Sequence, residues 1–209
     1  MPTEIYDGKS IERLTLDAII RNKPLERLMI FIDGGYLRRL FKDVFGDENI
    51  DFSKLRNDLI KWYNDIPDNL FKANPLRICF YDGIVDSSKD PTAYKEQKQY
   101  FDSLEKNNFA FDVILGESIK LSDGGFRQKG VDVILAIDSL SMAYLDEYDS
   151  GFFLLGDRDF IPLIEAVKSA GKRTFGFYYD DNKVADELIR SFDFRLAFNK
   201  TRMKLWRMN

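Results

Sequence analysis

Apolar residues in this chain gather into short runs separated by longer stretches in which they recur every three or four positions. The runs are Leu28–Ile32 (LMIFI), Leu76–Tyr81 (LRICFY), Ala110–Leu115 (AFDVIL), Gly151–Leu155 (GFFLL) and Arg173–Tyr178 (RTFGFY). Near-continuous apolar runs of five or six residues suit strands covered on both faces. Phe194–Phe198 reads as a last strand. The periodic stretches predict helices over 36–45, 51–63, 91–106, 129–148, 160–170 and 183–190, with a further one over 10–22. That first helix has Ser10 as N-cap, Ile11, Leu14, Ala18 and Ile19 as its apolar stripe, and Pro24 as its stop.

Strands alternating with helices point to an α/β fold with a mostly parallel central sheet between two helical layers. Right-handed crossovers make 3-2-1-4-5 the natural strand order. Residues 28–198 form the expected domain. Residues 1–27 are an extension laid against that domain or against a second copy in a homo-oligomer, and 199–209 are a basic tail.

Composition narrows the chemistry. The 209 residues contain no histidine and one cysteine, Cys79. This excludes His-based triads, histidine-pair RNA cleavage, His-ligated zinc and an intrachain disulfide. Cys79 sits among bulky apolar neighbours and is expected to pack in the core. No apolar run approaches the ~20 residues a membrane helix needs, and the polar N-terminus is no secretory signal, so a cytoplasmic location is expected. The net charge of −4 argues weakly against nucleic acid, because the placement of charge matters more than its sum. Residues 194–209 carry Arg195, Lys200, Arg202, Lys204 and Arg207 without an acid. This tail either tracks a nucleic-acid backbone with Trp206 stacked on a base or is a solvated terminus.

In an open parallel sheet, ligands bind beyond the carboxyl ends of the strands. Asp33 and Asp157 each follow an apolar run there. Asp132 opens a helix that enters from the side, and Asp159 follows Asp157 by two residues. Carboxylates crowded together raise one another's pKa, and Mg²⁺ or Mn²⁺ relieves this with oxygen ligands. Such an ion also acidifies water and offsets charge building on a phosphodiester. Taken singly, each aspartate is equally well a turn or N-cap residue. Asp82 reads as part of an Asp-Gly turn. Asp138 lies about 120° around the helix from Asp132 at ~100° per residue, so it does not share that face, whereas Ser139 does. Lys129, Arg127 and Arg158 border the acids, where they either hold phosphate or are solvated.

The segments Phe31-Ile32-Asp33-Gly34-Gly35-Tyr36-Leu37, Gln128-Lys129-Gly130-Val131-Asp132-Val133 and Gly156-Asp157-Arg158-Asp159-Phe160 together resemble the NYN domain family, especially its LabA-like branch. The similarity runs from about Leu28 to about Ala197. It implies a PIN-like (Rossmann-like) three-layer fold and a metal-dependent ribonuclease. By matched position, Asp33, Asp132 and Asp157 would bind Mg²⁺ or Mn²⁺, with Asp159 as a further catalytic acid and RNA as the partner. Lys129, Arg158 and Tyr36 are the candidate substrate contacts. Tyr36 stands where many family members carry Asn, which bears on substrate handling. The alternative is a non-catalytic RNA- or protein-binding module on the same fold. Phosphoryl transfer through an aspartyl phosphate is disfavoured, because Gly35 occupies the place of the second acid. A dinucleotide site is disfavoured because Gly34-Gly35 begins no G-x-G-x-x-G.

Overall fold

A computed structural model describes residues 25–66, 72–120, 126–181 and 183–208. The helix expected over 10–22 and the side chain of Arg127 lie outside the described residues. The elements in chain order are β1 (Leu25–Asp33), α1 (Gly34–Phe45), α2 (Phe52–Asp65), β2 (Lys72–Val85), α3 (Pro91–Asn107), β3 (Phe111–Lys120), β4 (Phe126–Lys129) and α4 (Val131–Tyr144). They continue with β5 (Ser150–Leu154), a 3₁₀ turn (Arg158–Phe160), α5 (Ile161–Ser169), β6 (Arg173–Tyr179), α6 (Asp186–Ser191), β7 (Phe194–Phe198) and α7 (Lys200–Leu205).

The strands form one seven-stranded sheet in the order β4-β3-β2-β1-β5-β6-β7. All neighbours are parallel except β3 and β4. The five-strand order 3-2-1-4-5 is therefore corrected to a seven-strand order, and the additions lie at the two edges. β4 is four residues long with no apolar run to announce it. It exists because β3 continues to Lys120, and Glu117–Lys120 pair antiparallel with Phe126–Lys129. Lys129, expected to open a helix, instead closes this strand, and the helix starts at Val131 after Gly130 turns the chain at φ +78°.

Side chains alternate across β1 and divide the core in two. Leu28, Ile30 and Ile32 meet Leu37 and Phe41 of α1, Leu55 and Leu59 of α2 and Leu104 of α3. Met29 and Phe31 meet Val131 and Leu135 of α4, Ile164 of α5 and Leu188 of α6. Cys79 is buried in this second layer. The result is three layers, helix–sheet–helix.

The C-terminal segment departs from its expectation as a tail. Trp206 is fully buried, packs on Phe177 and Phe198, and donates from Nε1 to Asp58 at 2.9 Å. Arg202 pairs with the same carboxylate at 2.7 Å and covers the Trp62 ring. Burying an indole of this size favours folding by a few kcal/mol, so Trp206 belongs to the core and has no free face for a base.

Candidate active site

β1 is the central strand, flanked by β2 on one side and β5 on the other. Chain progression reverses between β1 and β5, the point where open α/β sheets place their ligand crevice. A cleft of ≈ 1010 Å³ opens there, and Asp33, Asp132 and Asp157 all line it.

Asp33 ends β1 and caps α1, its Oδ1 accepting from the Tyr36 amide at 2.9 Å. Only 5 % of it is exposed. Burial pushes its carboxyl up to about 6, and the nearby charges of Asp132 and Asp82 push the same way against the Tyr36 amide and Arg39. Asp132 lies in the first turn of α4. Partial desolvation, then Asp157 and Asp159, raise its pKa, with Arg39 opposing. Asp157 caps the 3₁₀ turn and accepts from the Asp159 amide at 3.0 Å. Among the described residues, Asp33, Asp132 and Asp157 have no salt bridge.

Two close approaches shape the cleft. A Cβ on Gly35 would stand 2.6 Å from the Gln128 side-chain amide, so a larger residue there would push that amide away from Asp82, to which it donates. The Tyr36 ring lies against Gly156, where a Cβ would overlap it. Tyr36 thereby joins the turn bearing Asp33 to the loop bearing Asp157. Burial pushes its phenol up to about 12.

Asp82 is not a turn residue. β2 runs through Asp82-Gly83 to Val85 because β3 continues beside it, and Asp82 is fully buried. Arg38 grips it with Nε at 2.7 Å and Nη2 at 3.0 Å, and Gln128 Nε2 donates to it at 2.5 Å. Burial raises its pKa, and the Arg38 guanidinium works against that shift. A second carboxylate, Glu48, holds the far side of Arg38 at 3.2 Å.

Of the remaining expected residues, Arg158 and Tyr36 line the cleft. Lys129 is exposed and pairs in register with Glu117, outside the cleft lining. Asp159 shares a neighbouring groove with Asp132 instead of the cleft itself. Asp138 approaches Tyr81. Arg39, Lys42 and Lys183 also line the cleft and were missed. The helical spacing Gly35, Arg39, Lys42 (i, i+4, i+7) was a signal that could have revealed the first two. Acids at the centre and cations at the rim can hold both a hard cation and a phosphate. Among the described residues no three acid or Cys side chains stand close enough to form a ready metal site. The fit to Mg²⁺ or Mn²⁺ is therefore one of donor chemistry: oxygen ligands, a buried carboxylate with a raised pKa, and no soft donor beside it.

No helix among the described residues is long and apolar enough to cross a membrane. No curated protein matches the chain. The fold is similar to the crystal structure of a protein of unknown function from Vibrio parahaemolyticus, at a TM-score of 0.58 and 19% identity, covering 90% of this chain and 98% of that one. The NYN domain matches residues 27–198. On that match the chain belongs to the NYN domain family, whose members are PIN-like and generally nucleases.

Proposed function

We propose that this chain is a metal-dependent ribonuclease of the LabA-like branch, hydrolysing RNA phosphodiester bonds internally. The supporting observation is the group of carboxylates without ion-pair partners at the β1–β5 reversal, rimmed by Arg39, Lys42, Arg158 and Lys183. Asp33, Asp132 and Asp157 would hold Mg²⁺ or Mn²⁺, with Asp159 as an outer acid. A bound divalent ion supplies acidified water and compensation for charge on the reacting phosphate. Arg39, Arg158 and Lys183 hold the phosphate oxygens, and the Tyr36 ring fixes the spacing of the two acid-bearing loops. Water adds to phosphorus, the ester P–O bond breaks, and the leaving oxygen takes a proton. Residues 28–198 are the working unit, and the cytoplasm is the proposed setting.

A second reading, a non-catalytic RNA- or protein-binding module, draws on the lack of a ready three-carboxylate cluster among the described residues. One experiment separates the two: labelled RNA and DNA panels with Mg²⁺, Mn²⁺ or EDTA, wild type beside Asp157→Asn. The nuclease reading expects RNA cleavage that EDTA and Asp157→Asn both abolish. Tight RNA binding without cleavage in either metal supports the module, and full activity in EDTA overturns the metal mechanism.

A further inference from the structure

The cleft is larger than its acids require. Beside Asp33, Asp132 and Asp157, its ≈ 1010 Å³ includes a lobe lined by Arg38, Glu48, Gly83, Gln97, Ser118 and Gln128. A space of this size takes in an organic ligand as well as an ion and a phosphate. The lobe adjoins the acids, because Gly35, two residues from Asp33, lies against the Gln128 side-chain amide. Gly83 keeps it open: a Cβ there would stand 3.0 Å from Gln128 Cγ and 3.2 Å from Ser118 Cβ.

Hydrogen bonds fix the polar groups of this lobe. Buried Asp82 accepts from Arg38 and from Gln128. Arg38 in turn holds Glu48, its Nη1 donating to Oε2 at 3.2 Å. The Glu48 side chain stays 37% exposed, and its carboxylate keeps lone pairs to spare. Gln97 of α3 accepts at Oε1 from the Val85 amide at 2.9 Å. That bond sets which way round the amide lies and leaves Nε2 a donor without a partner among the described residues. Tyr100, three residues along the same face of α3, feels the charges of Arg38 and Glu48. Gln97 and Glu48 therefore border the same part of the lobe.

An anchored carboxylate beside an anchored amide donor discriminates among nucleobases, whose Watson–Crick edges are open in single-stranded RNA. Guanine presents two adjacent N–H donors, N1 and N2, next to the acceptor O6. Adenine and cytosine place a ring acceptor where guanine has N1–H, and an acceptor repels a carboxylate. Uracil offers one N–H between two carbonyls, so a carboxylate gains a single bond from it.

We propose that this lobe is a base-binding subsite selective for guanine, in which the Glu48 carboxylate accepts from N1–H and N2–H while Gln97 Nε2 donates to O6. Arg38 positions Glu48, and the Val85 amide positions Gln97. The inference rests on the nuclease reading for the RNA that brings the base to the lobe, its phosphate lying at the acids.

The test is equilibrium binding of guanosine, inosine, adenosine, cytidine and uridine to the full chain by calorimetry. Nucleosides carry no phosphodiester, so the result does not depend on cleavage. Guanosine is expected to bind about tenfold or more tightly than inosine, which lacks only the N2 amino group, and than the other three. Glu48→Gln turns one acceptor into a donor and should abolish that preference. Gln97→Glu keeps an acceptor for the Val85 amide but replaces the donor to O6, and should weaken guanosine binding by about the same factor. Gln99→Ala, exposed on α3 and outside the cleft lining, should leave binding unchanged. Equal binding of all five, no measurable binding of any, or a guanosine preference that survives both cleft variants overturns the proposal. Guanosine preference in a chain that cleaves no RNA supports the subsite while the nuclease reading falls. Metal-dependent RNA cleavage without guanosine preference overturns the subsite alone.

Discussion

The two ends of β1 each bury one carboxylate, Glu26 at 7% exposure and Asp33 at 5%, and their surroundings differ. Glu26, at the entry end, accepts from Ser150 Oγ at 2.8 Å and also bonds the Tyr63 hydroxyl and the Arg173 guanidinium. Asp33, at the exit end, accepts from one backbone amide, and burial above all, then the charges of Asp132 and Asp82, raises its proton affinity. A buried charge costs stability unless it is paired and hydrogen-bonded. The entry end is arranged to hold the fold together, and the exit end carries an electrostatic cost of the kind found where a site must bind something charged.

The largest expected effect separates these roles. Asp33→Asn keeps an N-cap acceptor and should lower RNA cleavage by about a thousandfold or more, ~4 kcal/mol of barrier. Its thermal melt at pH 7 should not fall. A loss of melting temperature alongside the loss of cleavage would mean that Asp33 is structural. The reciprocal change, Glu26→Ala, removes the shared acceptor of Tyr63, Ser150 and Arg173 and should cost about 3 kcal/mol in denaturant unfolding. The folded fraction should cleave at the wild-type rate.

The pH dependence sharpens the same contrast. Burial pushes the Asp33 carboxyl up to about 6 from its ordinary 3.8, so the folded state holds the extra proton between those values. Its contribution to stability is full below about 4, declines as pH rises, and is lost above about 6, a span of roughly 2–3 kcal/mol. Subtracting the Asp33→Asn unfolding curve from the wild-type one across pH 4–7 should isolate this slope. No difference in slope would place the carboxylate in water. The smallest effect belongs to the rim: Arg39→Ala should raise KM about tenfold with little change in kcat, as for a group that binds substrate and transition state alike.

Much of this arrangement was legible in the chain. A buried parallel strand declares itself by an unbroken apolar run, and the first polar residue after it lies at the edge where ligands bind. That placed Asp33 and Asp157. What escaped depends on partners distant in sequence. β4 has no apolar signature and forms because β3 extends beside it. Asp82 resembles a turn because glycine follows it, yet Arg38 and Gln128 hold it inside a strand. Trp206 lies among basic residues, and only the fold brings Asp58 to its indole nitrogen.

The sharing of one cation by Asp33, Asp132 and Asp157 is tested most directly by a Mn²⁺-soaked crystal read at the manganese absorption edge. An anomalous peak within roughly 2.0–2.3 Å of carboxylate oxygens from these residues is expected. A fully occupied soak with no peak in the cleft, or with Mn²⁺ bound only elsewhere, would contradict it.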